Sequence, residues 1–157
     1  MAWRTYSGQE IEEPLTKAVE RVIKTIQAEH REIRIYVGTD SKVKGNLIDM
    51  VTVIVFHVVG NGGFMYVNKQ RLKQKMTIRE RMMTEVGASI QTAYEINDVL
   101  KTYNVPLEIH ADINKDPKYQ SNQAYSDAMG YTKGMGYVFK SKPDAFASSV
   151  CADRLCG

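Results

Sequence analysis

The stretch Ile33-Arg34-Ile35-Tyr36-Val37-Gly38-Thr39-Asp40-Ser41 constrains this chain more than any other. β-Branched and aromatic residues fill its first half, and a glycine then leads into Thr-Asp-Ser. That is the pattern of a short buried strand running into a polar turn. Asp40 is thereby expected at the carboxyl end of a central strand, where open α/β sheets hold their ligands. A carboxylate there serves either as a metal ligand or as a turn residue bonded to its own backbone. The rest of the chain has to decide between the two.

Ahead of this strand, residues 1–9 read as a loose lead-in. Ile11, Leu15, Ala18, Val19, Val22, Ile23 and Ile26 then recur at helical spacing, predicting an amphipathic helix from about Glu10 to Glu29. Pro14 suits its first turn, and Glu10, Glu12 and Glu13 suit its positive end. After a polar turn at 41–46, the apolar run from Met50 to Val59 predicts a strand buried on both faces. His57 within it reads as a hydrogen-bonded sheet histidine. Gly60-Asn61-Gly62-Gly63 reverses the chain into a return strand from Phe64 to about Gln70, completing an antiparallel meander.

A long helix follows from Thr77 to about Lys101, opened by a Thr77–Glu80 capping box. Ile78, Met82, Val86, Ile90 and Ala93 trace its buried stripe. Glu85 projects from the edge of that stripe, so its carboxylate needs a cation or a metal as partner. Leu107-Glu108-Ile109-His110-Ala111-Asp112 is a second strand of the central type, with Glu108, His110 and Asp112 on one side. A helix capped by Ser121 or Asn122, a short strand at 137–139 and a last helix from Ala145 to about Leu155 complete the chain, with Asp144 at the last helix's entrance.

Composition narrows the classes. At 157 residues, with 43% hydrophobic and 25% charged residues, the expectation is one ordinary domain over residues 1–157 with its own core. No apolar run reaches the roughly 18 residues of a membrane span, and Met1-Ala2-Trp3-Arg4 starts no signal-peptide core. A cytoplasmic location and no membrane partner are therefore expected. Cys151 and Cys156 are expected to be free thiols. A net charge of +3 permits an anionic partner without requiring one. Its distribution is more telling: Lys69, Arg71, Lys73 and Lys75 alternate, and if 69–75 is extended they present four cations on one face, either a solvated edge or a track for phosphates.

After the first helix, the element order is βββαβαβα, that of the ribonuclease H-like fold. Asp40, Glu85, Asp112 and an aspartate near the last helix fall where that fold carries its acids. The wording Tyr36-Val37-Gly38-Thr39-Asp40-Ser41, His110-Ala111-Asp112-Ile113-Asn114 and Lys142-Pro143-Asp144-Ala145-Phe146-Ala147 resembles the YkuK-type family of small ribonuclease H-like proteins, from about Glu10 onward. The resemblance implies an α/β domain with a five-stranded mixed sheet, three antiparallel strands then two parallel, flanked by helices and preceded by an extra N-terminal helix. It implies a metal-dependent nuclease in which Asp40 bridges two ions, with Glu85 and Asp112 as further ligands and Asp144, rather than Asp153, as the fourth. Two-metal phosphodiester hydrolysis needs such carboxylates to hold ions about 3.5–4 Å apart. All-oxygen ligands select Mg²⁺ or Mn²⁺ over zinc. DNA or RNA is the implied partner, and no oligomeric state is implied. The alternative is a silent module of the same fold that grips nucleic acid or a protein. Actin-like ATPases also place an aspartate after their first strand, but they need a duplicated domain and glycine-rich phosphate loops.

Overall fold

The computed structural model describes residues 2–145 and 147. Strand β2 (Ile33–Lys44) forms the middle of a sheet with β3 (Leu47–Val58) and β4 (Gly63–Leu72), an antiparallel meander as the turn signals require. β5 (Leu107–Asn114) pairs with β2 in parallel, and β6 (Val138–Lys142) with β5, also in parallel. A further strand, β1 (Trp3–Thr5), adds antiparallel to β4, giving six strands in the order β1-β4-β3-β2-β5-β6. The sheet is therefore one strand wider than expected, and the start of the chain is not a loose lead-in. Trp3 explains the difference, because its indole is buried in the core and carries the chain with it.

Helix α1 (Leu15–Ala28) buries Leu15, Ala18, Val19, Val22, Ile23 and Ile26, the stripe read from the sequence. It begins later than expected. Pro14 is extended (ψ 144°), so Glu10, Glu12 and Glu13 precede the helix instead of lining its first turn. Helix α2 (Ile78–Thr102) opens on the expected capping box: the Glu80 N–H donates to Thr77 Oγ1 at 3.1 Å, and the Thr77 N–H to Glu80 Oε1 at 2.9 Å. No helix among the described residues is long and apolar enough to cross a membrane.

A short 3₁₀ turn (Gln120–Ala124) precedes α3 (Tyr125–Gly134), so neither Ser121 nor Asn122 caps that helix. Both are spent on the end of β5. Ser121 Oγ accepts from the Asn114 N–H at 2.9 Å, and Asn122 Nδ2 donates to the Asn114 carbonyl at 3.0 Å. The expected last helix, Cys151, Asp153 and Cys156 lie outside the described residues.

The three helices among the described residues pack on one face. Ile33, Ile35 and Val37 of β2 meet α1 and the second half of α2, while Ile109, Ala111 and Ile113 of β5 meet the first half of α2 and α3. The opposite face carries a smaller cluster of Tyr36, Val51, Val53, Val55 and Val67, against which Ala147 is buried.

Candidate active site

Asp40 does not end its strand. β2 continues to Lys44 and pairs with β3 as far as Lys44–Leu47, with the reversal confined to Gly45-Asn46. Charge pairing across the strands sustains the extension. Asp49 takes Lys44 at 3.0 Å and Arg71 at 2.7 Å, and first Arg71, then Lys44, hold its carboxyl down to about 2. What does end near Asp40 is the parallel ladder with β5, whose last rung is Thr39–Ala111. Asp40 and Asp112 are the next residues on two neighbouring strands. Strand alternation puts both on the face away from the helices, in line with Tyr36 and His110, whose rings stack at 4.8 Å.

Glu85 reaches this point from the helical side. Two rungs tie α2 to β2: Ser41 Oγ donates to Glu85 Oε2 at 2.5 Å, and Ser89 Oγ meets Thr39 Oγ1 at 2.7 Å. Four helical residues rise about 6.0 Å and two strand residues about 6.6 Å, so the spacings match with the chains running in opposite senses. Glu85 is 2% exposed. Burial pushes its carboxyl well above the usual range, the Ser41 hydrogen bond opposes this, and the charges of Asp40 and Asp112 add to the rise. Mutual electrostatic influence thus joins three acids from β2, α2 and β5. Glu85's hydrogen-bond partner is a hydroxyl, which the sequence reading had not weighed.

Two cations flank the acids. Lys142 Nζ, from the end of β6, lies 2.7 Å from Asp112 Oδ1. Arg81, one turn before Glu85, lowers Glu85's pKa and reaches the Ser41 carbonyl at 3.4 Å. Asp144 is exposed in the turn after β6, with its N–H donating to the Ser141 carbonyl at 2.8 Å; its charge acts on His110, which puts it at the margin of the cluster. His110 is itself fixed. Nδ1 accepts from the Ala147 N–H at 3.2 Å, leaving Nε2 to donate to Glu108 Oε1 at 3.0 Å. Burial lowers its pKa, and Glu108 opposes that. His57 bonds the Tyr36 hydroxyl at 2.9 Å, the sheet role expected of it.

The basic series divides. β4 ends at Leu72, so only Lys69 and Arg71 share a strand face, and Arg71 is occupied by Asp49; Lys73 and Lys75 follow in an irregular, exposed stretch.

A family model described as Ribonuclease H-like matches residues 17–156. The chain belongs to this family. The YkuK-type resemblance and the mixed sheet flanked by helices agree with the assignment. The match starts inside α1, so that helix lies largely within the matched domain and is not an addition outside it. Neither the curated proteins nor the solved structures gave a match.

The fold family implies divalent metal, and the side chains fit it only in part. Among the described residues no group of three or more His, Cys, Asp or Glu is arranged to hold an ion. Glu85 is turned to Ser41, and Asp112 gives one oxygen to Lys142.

Ser41, Arg81 and Lys142 are the neighbours that sequence reading passed over. Ser41 follows Asp40 directly, and Lys142 opens Lys-Pro-Asp, so the family wording contained both. Arg81 carried a signal only in hindsight of the helix phase, one turn from Glu85.

Proposed function

We propose that the protein is a nucleic-acid phosphodiester hydrolase whose chemistry takes place at Asp40, Asp112 and Glu85, with Mg²⁺ or Mn²⁺ as cofactor. The observation behind this reading is the meeting of acids from β2, β5 and α2 beside the last rung of the parallel ladder, in a chain of the ribonuclease H-like family. A bound divalent ion supplies Lewis acidity and a water of lowered pKa. Asp40 and Asp112 would hold that ion. Glu85, kept in place by Ser41 and by the Ser89–Thr39 rung, sets the charge on the helical side of these two acids. Lys69 lies on the strand face that Asp40 shares and offers a phosphate contact there.

The test is cleavage in Mg²⁺ and in Mn²⁺ of single-stranded DNA and RNA, duplex, hybrid and four-way junction, with Asp40→Asn in parallel. Cutting by the parent alone is the expected result. Equal cutting by both proteins removes the site.

A second reading has its own support: Ser41 on Glu85 and Lys142 on Asp112 are what a site that binds without cutting would keep. In that case the parent retains one of these substrates and cuts none.

A further inference from the structure

The exposed aromatic side chains divide by the end of the sheet they occupy. β2, β4 and β5 run the same way, so their carboxyl ends share one end of the sheet with Asp40 and Asp112. Phe64 is near the start of β4 and therefore toward the other end, and Tyr6 leaves β1 in that direction, toward Met65. α2 runs away from the acids, because Glu85 meets Ser41 and Ser89 meets Thr39, so Tyr94 lies further from them. Tyr131 comes late in α3, just before β6 begins opposite Glu108. Tyr119 is the exception. It is 49% exposed and sits in the connection that leaves the carboxyl end of β5, seven residues after Asp112. We propose that Tyr119 is a platform for one unpaired base of the substrate, and that it directs the site to single-stranded nucleic acid. The inference rests on the hydrolase reading above and names the form of its substrate.

The loop holds this ring out. Asn114 Oδ1 accepts from the Asp116 N–H at 2.9 Å, and Asp116 Oδ1 from the Lys118 N–H at 3.1 Å. The Tyr119 N–H donates to the Asp116 carbonyl at 3.2 Å, and the Tyr119 carbonyl accepts from the Asn122 N–H at 3.1 Å. Ser121 and Asn122 tie the same loop back to Asn114, two residues beyond Asp112. The ring itself packs in none of the three apolar clusters of the described residues. A ring set on a pinned main chain and left in water loses little freedom when a base covers it. Lys118 Nζ stands over one face, 5.2 Å from the centroid and 3.7 Å from Asp116 Oδ2, which leaves the other face to a base. Lys73, Lys75 and Lys115 are exposed in the loops at this end of the sheet. Cations beside an aromatic face suit a phosphate chain with its bases turned out. A duplex has no such base face to offer, since its bases are already stacked on one another.

Equilibrium binding by the full chain tests this, without divalent ions so that no strand is cut. The probes are fluorescein-labelled single-stranded DNA and RNA oligomers and the matching duplexes. The proteins are the parent, Tyr119→Phe and Tyr119→Leu, with melting temperature and circular dichroism confirming that each is folded. Tyr119→Leu is expected to bind single strands about ten-fold more weakly and Tyr119→Phe within about two-fold of the parent, while all three bind duplex alike. Oligomers carrying 2-aminopurine at successive positions read the stack itself. At saturation their fluorescence is expected to be quenched at one position by the parent and by Tyr119→Phe, and not by Tyr119→Leu. Equal affinity of the parent and Tyr119→Leu for single strands, an equal loss on single strands and duplex, or no quenching by the parent overturns the platform. Binding is read apart from cleavage, so the two readings fail separately. A parent that stacks the base yet cuts nothing once Mg²⁺ or Mn²⁺ is added refutes the hydrolase and leaves the platform standing. Cleavage by the parent with unaltered single-strand binding in Tyr119→Leu does the reverse, and no binding of any oligomer by the parent overturns both.

Discussion

The two faces of the β2–β5 pair are made from the same strands and differ in nearly everything else. Toward the helices, Ile33, Ile35, Val37, Ile109, Ala111 and Ile113 form a dry, close-packed layer. Away from them, Tyr36, Asp40, Glu108, His110 and Asp112 form a polar row with one stacked ring pair and several charges. One residue of offset along a strand separates the parts of the molecule that hold the fold from those that can do chemistry. The faces meet at Thr39 and Ser41, where hydroxyls replace aliphatics on the helical side and bind Ser89 and Glu85. A buried acid on the apolar side is tolerable there because its partner is supplied from the next strand residue but one.

Four substitutions sharpen or break this division, from the largest expected effect down. Phe56 of β3 is fully buried on the helical face, with ring contacts at 4.9 Å to both Phe64 and Tyr66. Phe56→Ala is expected to cost about 3–5 kcal/mol in denaturant unfolding, while the protein that remains folded keeps its ion affinity. A parallel loss of affinity would show that the faces are coupled. Asp40→Asn should do the reverse: cleavage falls about 10²–10³-fold, with a melting temperature within a few degrees of the parent.

Glu85→Gln tests the meeting point by its pH dependence. The folded chain raises this carboxyl above its ordinary 4.5 through burial, so it binds its proton more tightly than the unfolded chain does. The associated stability is complete below 4.5 and is lost as pH rises toward the raised folded value. The parent should therefore weaken on that side relative to Glu85→Gln, which has no proton to lose. Parallel stability curves would mean that Glu85 is not held as described. Smallest is Thr77→Ala, which removes the α2 cap for about 1 kcal/mol. Thermal unfolding should register it, and ion binding should not.

Much of the fold was legible because it rests on periodicity. The α1 stripe, the meander of β2 to β4 and the α2 cap follow from spacing and local chemistry that neighbours in sequence complete on their own. The added strand β1 was not legible, since three residues with one tryptophan have too little pattern to announce a strand until β4 offers an edge. The polar run 41–46 misled for a related reason. Its lysines look like a turn until Asp49 and Arg71 arrive from other strands to pair with them. Among the acids, the charges of Asp40 and Asp112 act on Glu85, whereas that of Asp144 acts on His110.

The sequence by itself determined which residues are apolar at period two or 3.6, where the chain must turn, and that three carboxylates stand at comparable points of three elements. Only the tertiary structure decided what each carboxylate faces. Ser41 is next to Asp40 in the chain, yet it bonds Glu85, forty-four residues away. Lys142 is thirty residues beyond Asp112 and 2.7 Å from it. The physical reason is range: periodicity is written by contacts within a turn or a pleat, while the charge state and ligand of a buried acid depend on groups that only strand pairing brings within a few ångströms.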